Sequence, residues 1–368
     1  MTANFLNAPS SIGCVTSGGT ESILTAVRAH LEVYGKRRGI SYPEIICGST
    51  AHVALYKACD VLNVRIVSID CNDSTKSYQL QADTVQKHIT SNTIMIFASA
   101  PSFPQGVIDP IHQLSKVAIR YDVGLHVDAC LGGFVLPFLS DPDIPQQQMF
   151  DFRLPGVTSI SADSHKYGYA TKGTSILIFR SIDLQHASYF PYTCWSGGLY
   201  VTPTLAGSRP GALVVCAWAA LMSIGQTGYT MRANAIVKAA RRVAKEISLI
   251  DGLQLMTPNP TMVVAFGSDK FNIYRIKDCL SKRGWSLNPL QKPAGLNLCV
   301  TENFVASDGV VDDFLQSLRV AIDEVKIAKL SCKNKAGGTA DIYKAIQIIP
   351  AALSCFALCR FIDATLAP

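Results

Sequence analysis

Short apolar segments alternate with longer amphipathic segments over the first 180 residues of the chain. The longer segments repeat their apolar residues at the spacing of an α-helix. This alternation predicts an α/β fold, in which a mainly parallel sheet is built from strands joined by crossover helices. The predicted strands are Glu44–Cys47, Arg65–Ile69, Thr93–Ala98, Gly124–Asp128, Thr158–Ala162 and Thr174–Phe179, of which the last two pair as a hairpin. The predicted helices are Glu21–Arg38, Val53–Val61, Ala82–Ile89 and Ile111–Tyr121.

The pattern changes after a connection rich in glycine and proline, Ser196–Gly211. The segments beyond it predict a smaller α+β domain, so we expect a large domain at residues 1–209 and a small one at residues 210–368. A polar stretch, Lys333–Thr339, leads to a final amphipathic helix. The predicted helices of the small domain are Ala212–Ile224, Tyr229–Leu249 and Val310–Leu330, and its strands are Met262–Phe266 and Leu296–Thr301.

The amino-acid composition and net charge limit the kinds of molecule that the protein could bind. The chain has 368 residues, of which 48% are hydrophobic and 16% charged, which suits a large buried core. Its formal net charge of +6 would favour an anionic substrate or membrane surface, although a slightly basic surface without a partner fits equally well. No run of basic residues interleaved with aromatic ones indicates nucleic-acid binding.

The twelve cysteines show neither paired nor regular spacing. Several lie in apolar stretches, and we expect these to be reduced, buried thiols rather than disulfide partners or metal ligands. They are Cys47, Cys130, Cys216, Cys299 and Cys355.

No segment predicts a membrane anchor. The start of the chain lacks the pattern of a signal peptide. The apolar run Gly211–Gly225 is too short to span a bilayer, and Ala345–Leu366 is interrupted by Pro350, Arg360 and Asp363. We therefore expect a soluble or peripheral protein.

The segment with the clearest chemistry is Ser159–Gly173, which reads SISADSHKYGYATKG. A predicted strand ends here, and His165 and Lys166 follow on a loop of small residues. A lysine becomes an imine-forming nucleophile when a pocket lowers its pKa. On its own, a lysine in a loop is usually a solvated surface residue.

Two further segments support a functional lysine. In Gly124–Phe134, Asp128 lies at the end of an apolar strand. There it would keep the ring nitrogen of a cofactor protonated, or it would cap the next helix. Val15–Ser22 reads VTSGGTES before a helix, so its backbone N–H groups suit a phosphate. His52 would stack on a cofactor ring or make a structural contact. A phosphate cradle, a histidine, an aspartate and a lysine in this order are typical of the type I fold of pyridoxal-phosphate enzymes.

Longer motifs resemble the sphingosine-1-phosphate lyases of the group II pyridoxal-phosphate decarboxylase superfamily. The resemblance covers nearly the whole chain. The matching stretches are Gly13–Ser22, Pro43–Ile46, Ala51–Ala58, Pro101–Pro110, Leu125–Phe134, Phe150–Gly173 and Trp195–Gly211.

The resemblance implies roles for individual residues. Lys166 would form the Schiff base with pyridoxal 5'-phosphate, Asp128 would pair with the ring nitrogen, and His52 would stack on the ring. Lys172 would bind the substrate phosphate. The cofactor-binding set implied in full is Gly18, Gly19, Thr20, His52, Asp128, Ala129, His165, Lys166, Gly197 and Gly198, with no metal.

The resemblance also implies an assembly and a location. Gly197 and Gly198 would complete the phosphate site of a neighbouring subunit, so a homodimer is expected. Family members act at the cytosolic face of the endoplasmic reticulum membrane. They carry a further region ahead of the motif that begins here at Gly13, which in eukaryotes comprises a membrane anchor and an N-terminal segment with active-site and dimer contacts. We therefore expect a fragment, a truncated gene model or a shortened paralogue.

The expected reaction is a retro-aldol cleavage of the C2–C3 bond in a phosphorylated sphingoid base, giving a long-chain aldehyde and ethanolamine phosphate. The sequence leaves the base open between Lys172, His165 and a tyrosine of the N-terminal segment. One rival is an amino-acid decarboxylase, disfavoured because Cys130 and Leu131 follow Ala129 and Tyr167 follows Lys166. The other is an inactive or regulatory paralogue of the lyase.

Overall fold

The computed structural model describes residues 1–10, 12–72, 77–139, 149–307, 309–330, 338–349 and 351–366. The chain divides into two compact units, Met1–Lys238 and Ala239–Pro368. The division falls within a long helix that begins at Gly211. The domain boundary predicted after residue 209 lies at the start of this helix and stays a prediction.

The first unit contains a seven-stranded sheet in the order β1-β7-β6-β5-β4-β2-β3. Strands β2 to β6 run parallel, and β7 is antiparallel to both of its neighbours. The predicted parallel sheet and its terminal hairpin are therefore confirmed. The strands are β1 (Gly13–Thr16), β2 (Glu44–Gly48), β3 (Arg65–Ile69), β4 (Thr93–Ser99), β5 (Gly124–Asp128), β6 (Ser159–Ala162) and β7 (Ser175–Phe179).

Within the described residues, four helices connect the successive strands from β1 to β5, one helix precedes β1, and one follows β7. Every residue of β2, β4 and β5 is buried, as expected for parallel strands covered on both faces. The helices are α1 (Thr2–Phe5), α2 (Gly19–His30), α3 (Ala54–Leu62), α4 (Ala82–His88), α5 (Ile111–Tyr121) and α6 (Ile182–Ser188). The helix predicted at Glu21–Arg38 continues past α2 as a short π-helical turn and a 3₁₀ turn.

Two features of this unit are missing from the sequence-based prediction. Strand β1 pairs with β7, and a Cβ on Gly13 would lie only 2.1 Å from the Leu177 carbonyl oxygen, so a glycine is needed there. The first part of the segment predicted as a connection, up to Thr202, belongs to an exposed hairpin of β8 (Phe190–Trp195) and β9 (Gly198–Thr202). The sequences of β1, β8 and β9 lack the continuous apolar run or the alternation of apolar and polar residues from which strands are predicted.

Helix α7 (Gly211–Ser248) replaces two predicted helices. Gly225 interrupts it with φ of 63° and ψ of 176°, at the position where the prediction separated them. Among the described helices, α7 alone combines the length and apolar composition that a membrane span requires.

The second unit has a four-stranded antiparallel sheet in the order β10-β11-β13-β12. Its elements are β10 (Gln254–Leu255), β11 (Val263–Gly267), α8 (Ile273–Ser281), β12 (Asn288–Leu290), β13 (Gly295–Cys299), α9 (Val310–Leu330), α10 (Thr339–Ile348) and α11 (Ala351–Leu366). The predicted α+β character and the helix Val310–Leu330 are confirmed. The predicted polar stretch lies, up to residue 337, outside the described residues.

Of the five cysteines predicted to be buried, two are buried and three are not. Cys47 and Cys130 are buried free thiols. The prediction is wrong for Cys216 and Cys355, which are exposed on α7 and α11, and for the half-buried Cys299. The apolar neighbours of the two exposed cysteines, such as Val215 and Phe356, are themselves exposed, so an apolar stretch did not signify a core position.

Two buried histidines, one on α2 and one on β5, contact β6 and the residue before it. His30 contacts the Ala26 carbonyl oxygen at 2.7 Å and the Thr158 hydroxyl at 2.8 Å. His126 lies between the hydroxyls of Ser159 and Ser161, at 2.7 and 3.2 Å. Burial lowers the pKa of His30 to about 4 and that of His126 well below its ordinary value. Both rings are therefore neutral in the folded protein near neutral pH.

We expect acid to destabilise the first unit through these histidines. The folded state keeps them neutral, whereas the unfolded chain takes up protons as the pH falls below about 6.5. Stability is therefore fully present above that pH and is lost towards pH 4, at about 1.4 kcal/mol per pH unit for each histidine. Urea unfolding from pH 7.5 to 5 should show a shallower pH dependence in His30→Gln than in the unmodified chain. His88→Gln, at an exposed histidine, is the control, and equal slopes in all three proteins would contradict the prediction.

Candidate active site

A cavity of about 480 Å³ opens at the carboxyl ends of the parallel strands. Ligands of open α/β sheets bind at this edge, since the strand ends and helix starts face a common crevice. Its lining comes from the start of α2, the loop after β2 and the ends of β4, β5 and β6. The lining residues are Ser17, Gly18, Gly19, Thr20, Glu21, Ile23, His52, Ser99, Pro101, Phe103, Asp128, Cys130, Leu131, Asp163, His165 and Lys166.

Seven of the predicted site residues lie in this lining: Gly18, Gly19, Thr20, His52, Asp128, His165 and Lys166. The sequence places them up to 148 positions apart, from Gly18 to Lys166. They meet because β5 and β6 are adjacent parallel strands, with Asp128 paired to Ser161. Asp128 and Lys166 therefore face one cavity.

Four other predicted residues lie outside the lining. Ala129 is fully buried, and its N–H donates to the Ser161 carbonyl oxygen at 2.9 Å. Lys172 is exposed on the loop after Lys166. Gly197 and Gly198 are exposed in the hairpin of β8 and β9. Their predicted roles stay predictions.

The start of α2 forms the wall suited to an anion. Helix starts leave the first backbone N–H groups without intrahelical acceptors and carry partial positive charge. Gly18 is the N-cap of α2, and Gly19 and Thr20 form its first turn. The Ser17 N–H donates to the Glu21 carboxylate at 2.7 Å, which fixes the approach of the chain to the helix.

The Lys166 loop is held closed by hydrogen bonds. The hydroxyls of Ser164 and Thr174 lie 2.9 Å apart, and the Ala170 N–H donates to the Ser164 carbonyl oxygen at 2.9 Å. From α7, the Tyr229 hydroxyl donates to the Gly168 carbonyl oxygen at 2.7 Å. These contacts fix the backbone on both sides of Lys166.

His165 is oriented by the same loop. Its Nδ1 accepts the Thr174 N–H at 3.1 Å, so a neutral ring carries its proton on Nε2. Nε2 lies 3.7 Å from the Asp163 carboxylate. This orientation makes Nε2 a donor and disfavours the proton-acceptor role that the sequence left open for His165.

Lys166 pairs with a carboxylate to which the sequence-based reasoning gave no role. Its Nζ lies 2.9 Å from Oδ2 of Asp163. Burial alone would lower the pKa of Lys166, but the carboxylates of Asp163 and Asp128 outweigh it, and the pKa is raised. Burial also raises the pKa of Cys130 well above its ordinary range, so its thiol is uncharged and the carboxylates supply the attraction.

Other lining residues were also missed, although their segments were identified. Ser99 ends β4, and its N–H donates to the Asp109 carboxylate at 2.7 Å. Asp109 also accepts the Leu80 N–H, and burial raises its pKa to about 6. Pro101 and Phe103 belong to the Pro101–Pro110 motif, so the motif was a signal for the site without assigning a role to either residue.

The lining fits an anionic, carbonyl-bearing ring cofactor. It combines a helix start for a phosphate, an amine for a carbonyl group and a strand-end carboxylate for a ring nitrogen. The Asp163 carboxylate is 2% exposed, and its Oδ1 has no hydrogen-bond partner among the described residues. Such a buried polar atom is costly unless a bound group satisfies it.

Comparisons with known proteins agree with this chemistry. Residues 1–268 match the family model described as the pyridoxal-dependent decarboxylase conserved domain. The chain is 43% identical over 354 residues to a sphingosine-1-phosphate lyase of Dictyostelium discoideum, covering 95% of this chain and 64% of the relative. It is 41% identical to the sphingosine-1-phosphate lyase of Saccharomyces cerevisiae, and the match covers 93% of this chain and 58% of the relative. The chain thus spans about three fifths of the length of these curated relatives.

Comparison with solved structures identifies the fold. A sphingosine-1-phosphate lyase of Burkholderia pseudomallei has a TM-score of 0.83 at 40% identity, covering 90% of this chain and 77% of that one. A glutamate decarboxylase of Lactobacillus brevis has a TM-score of 0.75 at 24% identity, covering 88% and 78%, which shows the shared fold. The predicted type I fold is confirmed. The chain belongs to the pyridoxal-dependent decarboxylase family, and among its members it is similar to sphingosine-1-phosphate lyases.

Proposed function

We propose that this chain carries the cofactor site of a sphingosine-1-phosphate lyase, which cleaves the C2–C3 bond of a phosphorylated sphingoid base. The products would be a long-chain aldehyde and ethanolamine phosphate. The observation that carries the proposal is the single cavity shared by Asp128, Lys166 and the start of α2. It occurs in a chain that is 40% identical to a solved bacterial lyase.

Pyridoxal phosphate is the cofactor of the family, and the cavity residues fit it. When bound, it supplies an electron sink for the bond that breaks. The N–H groups of Gly18, Gly19 and Thr20 would hold its phosphate, and His52 would orient its ring. Asp128 would keep a proton on the ring nitrogen, and the amine of Lys166 would attach the cofactor.

The substrate places further demands on the chain. A base must take the proton of the substrate hydroxyl, and a cation must hold its phosphate. We propose Lys172 for the phosphate, because an exposed lysine on the same loop as Lys166 is open to a charged headgroup. His165 would donate a hydrogen bond from Nε2, in keeping with its contact with Thr174.

The test is an assay of the purified chain with pyridoxal phosphate and sphinganine-1-phosphate. We expect a trapped long-chain aldehyde and ethanolamine phosphate in equal amounts by mass spectrometry. Release of carbon dioxide from amino acids with the sphingoid base untouched would favour the decarboxylase. Cofactor binding without turnover, corrected by a full-length lyase, would favour a regulatory paralogue.

We also propose that the chain forms a homodimer through an apolar surface made of the β8–β9 hairpin and the start of α7. Leu199 is 85% exposed, and Trp195 and Trp218 are each more than half exposed. Large apolar side chains that are exposed in this way mark a protein interface where they form a contiguous patch. The exposed Gly197 and Gly198 lie in the same hairpin, where they would reach the phosphate site of a second copy.

We expect a charged residue in this surface to weaken the dimer. Leu199→Asp places an uncompensated charge in the interface, so the dissociation constant should rise at least about tenfold. Light scattering over a range of protein concentrations measures it. Ile119→Asp, at an exposed apolar residue of α5, is the matched control. A monomeric unmodified chain, or equal effects of both variants, would contradict the dimer.

We infer that the protein works at the cytosolic face of the endoplasmic reticulum membrane. A sphingoid base is a lipid, and the net charge of +6 favours contact with anionic lipid surfaces. Fractionation of cells expressing the tagged chain tests this, with co-sedimentation with reticulum markers as the expected result. Recovery in another membrane fraction or in the supernatant would contradict it.

A further inference from the structure

The buried carboxylate of Asp163 is built into the wall of the cavity. A Cβ on Gly19 would lie 2.9 Å from Asp163 Oδ2 and 2.8 Å from Cys130 Sγ. These separations are too short for a real Cβ, so the glycine at this position is what lets the carboxylate lie against the first turn of α2. The partial positive charge of that turn stabilises the ionised carboxylate.

Lys166 is the cation that this carboxylate holds. The side chain of Lys166 is 32% exposed, whereas that of Asp163 is 2% exposed, so the contact at 2.9 Å is only partly screened by solvent. Within the described part of the chain, no other carboxylate oxygen lies within 4.0 Å of the Lys166 amine. Asp163 is therefore its direct ionic partner, and Asp128 acts on it from farther away.

We propose that Asp163 is a positioning residue, whose carboxylate holds the Lys166 amine in the cavity as an ion pair that a carbonyl-bearing cofactor must open in order to attach. This inference rests on the proposed function and deepens it. Only an uncharged amine attacks a carbonyl group, so the Lys166 ammonium must first release a proton to solvent. Its nitrogen would then form a double bond to the carbonyl carbon, and the carbonyl oxygen would leave as water. The ion pair therefore controls both where the amine lies and when it can react.

Removal of the Asp163 charge should leave burial as the main influence on Lys166. The other titratable groups lining the cavity are Asp128, Cys130, His165, His52 and Glu21. Of these, Asp128 still attracts the ammonium, whereas the Cys130 thiol is uncharged. An opposite charge at this distance raises the pKa of a lysine by about one to three units. Asp163→Asn should therefore lower the pKa of Lys166 by at least about one unit.

The first measurement uses the unmodified chain without cofactor. Trace acetylation with acetic anhydride across a pH series, read by peptide mass spectrometry, gives the pH at which each lysine becomes reactive. We expect Lys166 to become reactive at a higher pH than Lys172, which is exposed on the same loop and serves as the internal reference. Equal midpoints for the two lysines would overturn the proposal.

The second measurement compares Asp163→Asn with Asp122→Asn, which removes an exposed carboxylate paired with Arg38. The Lys166 midpoint should fall in the first variant only, and pyridoxal phosphate should attach to that variant at a correspondingly lower pH. An unchanged midpoint in Asp163→Asn would overturn the proposal. If circular dichroism shows that Asp163→Asn is unfolded, Asp163→Ser replaces it in the same measurement. The comparison of the Lys166 and Lys172 midpoints in the unmodified chain then provides the second test.

Acetylation requires no cofactor, so the two proposals fail separately. A chain that shows the expected midpoints but never binds pyridoxal phosphate would refute the proposed function and keep the ion pair. A chain that binds the cofactor through Lys166, but in which Lys166 and Lys172 become reactive at the same pH, would refute the ion pair and keep the proposed function.

Discussion

Replacement of Lys166 by alanine should abolish covalent attachment of pyridoxal phosphate. The other amine on this loop, Lys172, is exposed and lies outside the cavity lining, so we do not expect it to replace Lys166. The visible absorbance of the bound cofactor should therefore disappear, and borohydride reduction should no longer mark the Lys166 peptide. Cleavage of sphinganine-1-phosphate should fall by more than about a thousandfold.

The fold should survive this substitution but lose stability, because the buried Asp163 carboxylate is left without its cation. Lys166 is partly exposed, and its backbone N–H bonds to the Asp163 carbonyl oxygen in either protein. Lys172→Ala is the matched control, since it removes an amine from the same loop and should keep the absorbance. Persistence of the covalent cofactor in Lys166→Ala would show that a different amine attaches it.

Replacement of Asp128 by asparagine should leave the cofactor attached but lower the rate of cleavage by about a hundredfold to a thousandfold. An amide has nearly the shape of the carboxylate but no charge with which to hold a proton on the ring nitrogen. Because the Cys130 N–H donates to Asp128 Oδ1 at 3.0 Å, the asparagine carbonyl oxygen can accept the same bond and keep the turn intact.

Two measurements separate this electrostatic role from a structural one. The bound cofactor should show a changed absorbance spectrum in Asp128→Asn, while the thermal unfolding midpoint stays close to that of the unmodified chain. Asp122→Asn, remote from the cavity, should change neither property. Equal cleavage rates in Asp128→Asn and the unmodified chain would contradict the assignment of Asp128 to the ring nitrogen.

The sequence determined the main elements of the sheet. Strands β3 and β5 are short, mainly apolar segments and were predicted with the bounds that the structure shows, although only β5 is buried along its whole length. Helix α5 was equally exact, because its apolar residues follow the helical period. The long motifs identified the family and located Asp128 and Lys166, because both follow directly from predicted strand ends.

The tertiary structure alone decided which side chains share a cavity. Asp163 lies three residues before Lys166, and only the turn after β6 brings its carboxylate against both that amine and the start of α2. The exposed hairpin of β8 and β9 and the exposed cysteines were likewise beyond a local pattern. Local periodicity reports which face of an element is apolar, whereas burial and ion pairing depend on parts of the chain that are distant in sequence and meet only in the fold.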